Sequence, residues 1–306
     1  MPEFAVKVPQ ALKDLLDNPA IAKQFLYSAE EEIKAPYELV DPIGDAKYSP
    51  LPGIVHRYPD RVLLKINHDC ALHCRFCFRK NEVGQKPRLK PEEIRQALEY
   101  IKADSSIWEV IITGGEPLLL SKSLLNEIIN ELDQISHVEI IRIHTRFPVV
   151  ARLSAGHSFK SSKPIYMVIH INHPAELTAD FTTFCNKLRK QGIGLFSQSV
   201  LLKGVNDNAE TLEALFRGLL ARGIKPYYLH QLDLVAGTSH FRVPINEGQR
   251  ILRKLRGKLS GLALPTYILD IPGGAGKVEI GPNYQEKMGI SDAKGQIHQY
   301  EVDETK

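Results

Sequence analysis

Six apolar, strand-like runs constrain this chain most: RVLLKIN (61–67), EVIITG (109–114), EIIRIHT (139–145), IYMVIHIN (165–172), LFSQSVLL (195–202) and YYLHQLDLV (227–235). Between them lie KPEEIRQALEYIKAD, SKSLLNEIINELDQIS, TADFTTFCNKLRKQG and NAETLEALFRGLLARG, all with helical periodicity. Near-continuous apolar strands separated by amphipathic helices predict an α/β fold with a parallel sheet covered by helices. About six such units predict a partial (β/α)6-type TIM barrel, whose functional groups gather at the C-terminal strand ends. ALPTYILDIP (263–272) reads as a last strand. Residues 1–54 carry a helical pattern (ALKDLLDNPAIAKQFLYSAEEEI) and a Pro-rich linker. The composition shift at Pro50 to Gly53 marks the expected boundary with a barrel over 55–272, followed by a C-terminal segment over 273–306.

Cys70, Cys74 and Cys77 stand together as CxxxCxxC directly after the first of these runs, and the chain has only four cysteines. Three thiolates are too few to close a structural zinc or iron–sulfur site, which takes four ligands. A [4Fe–4S] cluster held by three cysteines keeps one iron open; the alternative is zinc completed by a distant histidine. Clustered thiols read as metal ligands in a reducing compartment rather than as disulfides. No apolar run approaches a membrane span and the N-terminus lacks a signal-peptide core, so a cytoplasmic protein is expected. A net charge of +3 argues for neither a nucleic-acid nor a membrane partner. Cys185, alone in a helical pattern, reads as a buried core thiol.

Polar residues recur at strand ends. Gly114, Gly115 and Glu116 follow the second run; two glycines allow close backbone approach, and a carboxylate beside them suits an ammonium group. His170 ends the fourth run, Gln198 lies in the fifth and Asp233 near the end of the sixth. For His170 and Gln198 a satisfied core polar group is an equal reading. The PGGAGK stretch (272–277) is no phosphate-binding P-loop, because Ile271 stands where that pattern wants glycine and Val278 where it wants Ser or Thr. A Gly-rich loop presenting Lys277 fits either a solvated turn or a Schiff base with pyridoxal phosphate (PLP). Asp233 and Asp270 both interrupt apolar runs. Buried carboxylates are costly unless paired, so the two together imply a cationic substrate group.

The cysteine triplet followed by GGEP resembles the radical S-adenosylmethionine (SAM) superfamily. From about Val55 to Tyr284 the chain resembles the lysine 2,3-aminomutases, in PGIVHRYPDRVL, CALHCRFCFRK, ITGGEPLLL, INHPAELT, QSVLLKGVNDN, KPYYLHQLDLVAGTSHFR, SGLALPTYILDIPGGAGK and GPNY. The resemblance implies a [4Fe–4S] cluster on Cys70, Cys74 and Cys77, SAM bound through Gly114, Gly115 and Glu116, and PLP on Lys277. It implies Arg57 and Arg61 at the PLP phosphate, for which a surface salt bridge is the alternative, and His170 and Gln198 near the cofactors. Arg79 would bind the substrate carboxylate, and Asp233 with Asp270 the far ammonium, favouring lysine over glutamate and leaving arginine open. The implied reaction is a 2,3-migration of an amino group, with L-lysine giving β-lysine and a flavodoxin- or ferredoxin-type donor supplying electrons.

Two departures stand out. The well-known members carry a longer C-terminal tail whose cysteines bind zinc between subunits, whereas here no cysteine follows Cys185 and Asn208 replaces a further one. That zinc is expected to be absent, and assembly into a homo-oligomer is left open. The short form also resembles the branch that forms β-lysine for elongation factor P, while the PGGAGK loop resembles the free-lysine mutases.

Overall fold

The computed structural model describes residues 4–150, 157–286 and 289–299; the ends of the expected terminal segments, 1–3 and 300–306, lie outside the described residues. The N-terminal helical pattern is divided. Helix α1 spans only Gln10–Lys13 and α2 Pro19–Phe25. Asn18 and Pro19 explain the break: proline suits the first helical position, and the Asn18 side chain accepts from Ala20 N at 3.0 Å. Leu12, Ile21 and Phe25 from this segment are fully buried in the main core.

A nine-stranded sheet follows, in which every strand neighbours the next in the chain. It comprises β1 (Ile54–Tyr58), β2 (Arg61–Asn67), β3 (Glu109–Gly114), β4 (Ile140–Thr145), β5 (Ile165–His170), β6 (Gly194–Val200), β7 (Lys225–His230), β8 (Thr266–Ile271) and β9 (Gly276–Glu279). Strands β2 to β8 pair in parallel, while β1 and β9 pair antiparallel at the two edges. The parallel, partial-barrel expectation holds, and the two antiparallel edges are what it missed. Helices α3 (Pro91–Ala103), α4 (Lys122–Asp133), α5 (Phe147–Val150), α6 (Ala179–Arg189), α7 (Ala209–Leu220) and α8 (Ile245–Arg256) connect the strands. Their buried stripes have helical spacing, as in Leu125, Ile128, Ile129 and Leu132 of α4. Asn208, at the position of the missing cysteine, caps α7 by accepting from Thr211 N at 2.8 Å. Cys185 is fully buried on α6, as expected. Among the described residues no helix is long and apolar enough to cross a membrane.

The strands do not read as uniformly apolar once folded. Along β4, Ile141, Ile143 and Thr145 are buried while Arg142 and His144 alternate with them and line an internal cavity. On β4 this period of two turns polar side chains into the barrel and apolar ones to the other face. The Pro-rich stretch is part of the same structure: Gly273 N donates to Pro42 O at 3.0 Å, tying it to the β8–β9 turn. The boundary expected after residue 272 falls in that turn, so the sheet runs across it.

The N-terminal segment is also bound to the cysteine loop by a buried ion pair. Arg75 is fully buried; its Nε donates to Glu31 Oε1 at 2.9 Å, and its Nη1 to the carbonyls of Phe4 and Ala5 at 3.0 and 3.1 Å. Removing one partner of such a pair strands the other without water. Arg75→Ala is expected to lower stability by about 3 kcal/mol or more, read as a fall in the urea midpoint. The Arg75→Ala, Glu31→Ala double variant should recover part of that loss.

Candidate active site

One cavity of about 520 Å3 runs through the barrel, and every residue singled out from the sequence lines it: Arg57, Arg61, Cys70, Cys74, Cys77, Arg79, Gly114, Gly115, Glu116, His170, Gln198, Asp233, Asp270 and Lys277. The cysteines sit on the loop after β2, at the C-terminal strand ends. Arg61, Glu109 and Arg142 line the cavity from the opposite, N-terminal halves of β2, β3 and β4.

All three cavity cysteines are free thiols. Burial pushes each upward; for Cys77, burial and then the neighbouring Cys74 push the thiol to about 12. Three thiols this costly to ionise unaided suit a metal group that takes up the charge. Among the described residues no three His, Cys, Asp or Glu side chains converge on a point for a single metal ion. A cube-shaped cluster binds each thiolate through a different iron, so its ligands need not converge. The donor set therefore fits a three-cysteine [4Fe–4S] cluster.

The glycines beside them are required by the local backbone packing. A Cβ on Gly115 would lie 2.2 Å from Asp69 O, and one on Gly114, at φ +120°, 2.4 Å from Asn67 O. Gly115 N donates to Asn67 O at 2.8 Å and Glu116 N to Asp69 O at 2.6 Å, so the glycines let this loop dock on the backbone leading into Cys70. The Glu116 carboxylate, read from sequence as a partner for an ammonium, is already engaged. It accepts from Leu118 N at 3.0 Å, Thr145 Oγ1 at 2.6 Å and Arg146 N at 2.8 Å. Burial pushes it up to about 7 despite those donors. Its contacts make it an organiser of the loops around the cysteines.

Lys277 is not in a loop but on β9. The turn after β8 returns the chain antiparallel and sets Lys277 opposite Asp270 in register. Its Nζ donates to both Asp270 oxygens, at 2.6 and 2.5 Å. Its backbone N–H donates to Tyr58 Oη at 2.8 Å, joining edge strands β1 and β9 across the seam of the barrel. Asp270 also faces Arg57 Nη1 at 3.7 Å and His230 Nδ1 at 3.8 Å. Burial would raise its carboxyl, but His230 and Lys277 hold it well below the usual range. Asp233 has the opposite balance: burial, then the charge of Asp270, pushes it up to about 7.

Arg79 donates from Nε and Nη2 to Asp45 Oδ2 at 3.1 and 2.9 Å. Asp45 is the chief site residue that sequence reasoning missed, since it lay in a stretch read as linker. Burial alone would raise it, but Arg79, Lys65 and Arg57 together keep it low. Arg57 reaches Asp45 Oδ1 at 3.4 Å and donates to Ile43 O. Arg61 makes the salt-bridge contact that was its alternative reading, with Asp60 at 2.6 Å, and stacks over the Tyr58 ring at 3.9 Å. The Nε2 atoms of His144, His170 and His230 are buried without a partner among the described residues. Burial holds the His170 ring well below the ordinary value, against a side-chain hydrogen bond with Asn172. These three imidazoles and Lys277 leave polar atoms for a ligand to meet, which fits a group with several acceptors, as PLP has.

A parallel partial barrel with three free cysteines beside a glycine-glutamate loop at its C-terminal strand ends defines a radical SAM protein. The family model for the radical SAM superfamily matches residues 64–215, and a second model, described as lysine-2,3-aminomutase, matches 252–302. An L-lysine 2,3-aminomutase of Methanococcus maripaludis is 42% identical over 91% of this chain and 65% of its own length. One from Clostridium subterminale is 40% identical over 92% of this chain and 70% of its own. A radical SAM methyltransferase from Sphaerobacter thermophilus, 18% identical, superposes with a TM-score of 0.50 over 71% of this chain and 68% of its own, which shows the shared fold. The chain belongs to the lysine 2,3-aminomutase family of radical SAM proteins and spans about two thirds of the length of those two relatives. Family membership implies a [4Fe–4S] cluster and SAM.

The docking of the glycine loop on the cysteine loop is directly testable. Gly115→Ala must separate Asp69 from β3, and is expected to cost roughly 2 kcal/mol or more. Thermal unfolding of the apo protein would register this as a lowered Tm; an unchanged Tm would contradict the close approach.

Proposed function

We propose that this chain is an amino-acid 2,3-aminomutase that moves the α-amino group of a cationic amino acid, L-lysine first, to the neighbouring carbon. The observation that carries this reading is the Lys277 ammonium seated on Asp270, in one cavity with three unpaired cysteines. When bound, the cluster with SAM would supply a carbon radical able to take hydrogen from an unactivated carbon, and PLP on Lys277 the conjugated system that lets nitrogen migrate.

The protein's own part is charge placement. The Lys277 ammonium is the same chemical group as the far end of lysine, so Asp270 already holds an internal copy of what it would bind. If PLP were held on Lys277, that ammonium would leave Asp270, and Asp270 with Asp233 would offer two carboxylates to a substrate ammonium. Arg79 is matched in the same way, with the Asp45 carboxylate on its fork where a substrate carboxylate would lie. Asp45 also lies 3.7 Å from Lys65 Nζ and 3.4 Å from Arg57 Nη2, so Arg79 is not its sole cationic neighbour. The apolar lining, with Val55, Leu72, Phe78 and Ile111 among it, excludes water from a reactive carbon centre. A glutamate side chain would bring a third carboxylate to the two aspartates and is disfavoured. Turnover further calls for a one-electron donor of the flavodoxin or ferredoxin type.

Anaerobic protein reconstituted with iron, sulfide, SAM and PLP should convert lysine and leave glutamate untouched; turnover of glutamate alone would overturn the carboxylate-pair reading. Borohydride reduction should fix the PLP group on the peptide containing Lys277, and Lys277→Ala should abolish both the label and the activity.

The pH dependence follows from Asp233. Its charged form attracts the substrate ammonium, and it takes up a proton as pH falls through about 7. KM for lysine should therefore rise below pH 7, approaching about tenfold per unit. In Asp233→Asn that slope should vanish, with KM high throughout.

A further inference from the structure

We propose that Arg146 raises the reduction potential of the cluster held by Cys70, Cys74 and Cys77 by donating a charged hydrogen bond to the Cys74 sulfur. This rests on the cofactor reading above. Arg146 follows β4 directly, and its Nη1 lies 3.0 Å from Cys74 Sγ. The guanidinium is buried, with Nη2 on Glu176 Oε1 at 2.6 Å and on Gln24 Oε1 at 2.7 Å. The rings of Phe25 and Phe76 lie 4.9 and 5.4 Å from its central carbon. Its Nε has no partner among the described residues, which leaves a buried donor for an acceptor arriving with the cluster.

These contacts hold the cation in a dry site, where its charge is weakly screened. Reduction adds one electron to the cluster, with no bond made or broken, and the added negative charge is felt at the thiolate sulfurs. A cation donating to one sulfur stabilises the reduced state more than the oxidised one; hydrogen bonds to sulfur and local charge are established determinants of cluster potentials. Glu176 works against this. It is fully buried beside Arg146 and accepts from Asn172 N and His173 N, each donating at 2.8 Å. The two side chains should therefore shift the potential in opposite directions, which a merely structural pair would not do.

The test is a redox titration of the anaerobically reconstituted protein without SAM, with dithionite as the electron source and the reduced cluster read by electron paramagnetic resonance. At the wild-type midpoint, the ratio of reduced to oxidised cluster should fall about tenfold or more in Arg146→Gln. It should recover in part in Arg146→Lys and rise above wild type in Glu176→Gln. Equal midpoints in variants with full iron and sulfide content would overturn the inference. If Arg146→Gln fails to assemble a cluster, Arg146→Lys and Glu176→Gln decide it, and an unchanged midpoint in both overturns it. A wild-type protein that takes up no iron would instead sink the cofactor reading and this inference with it.

Discussion

The neutralisation of charge inside the barrel is the constraint on which the rest of this structure depends. A lumen that carries Arg142, Arg146, Glu116 and Asp270 cannot be closed over unless these groups meet partners, and each does. The Arg146 contacts show how this is done at the cysteine end. One guanidinium joins Cys74 of the metal loop, Glu176 beyond β5 and Gln24 of helix α2, while its backbone N–H binds Glu116 of the glycine loop. Four segments distant in sequence are thus brought to one point by a single buried cation. Arg75 and Glu31 repeat the device a few residues away.

At the Lys277 end the same requirement takes a form that bears on function. Asp270 is satisfied by Lys277 and Arg79 by Asp45, so the site is internally paired with an ammonium and a carboxylate. An α-amino acid with a cationic side chain carries those same two groups. Under the proposed function, binding it would exchange partners, so that neither Asp270 nor Arg79 is left unpaired. The seam between β1 and β9, bridged by Tyr58 and Lys277, places this exchange where the barrel has its two free edges.

Much of this was legible in the chain. The strands from 61 and from 109 coincide with their expected spans because apolar runs of that length have one stable use between amphipathic helices. The readings that changed were local ones whose outcome depends on distant partners. Glu116 follows a pair of glycines, but whether its carboxylate faces a ligand or the protein is decided by Thr145 and Arg146, some 30 positions on. Arg61 lines the lumen, but whether its guanidinium faces a ligand or the protein depends on Asp60 and the Tyr58 ring, which hold it. Helix α1 ends early because Asn18 and Pro19 start a new helix, a local signal that apolar periodicity obscured. Asp45 had no local signal at all, being one acid among several in an irregular stretch.

By itself, then, the sequence determined the order of strands and helices, the three-cysteine loop, the lysine after the glycines and the two acids that interrupt apolar runs. These are written in spacing and residue type, which act over a few positions. Only the tertiary structure decided which charges pair: Lys277 with Asp270, Arg79 with Asp45, Arg146 with Cys74 and Glu176. Pairing of buried charge is a matter of distance in three dimensions, and no periodicity in the chain encodes it.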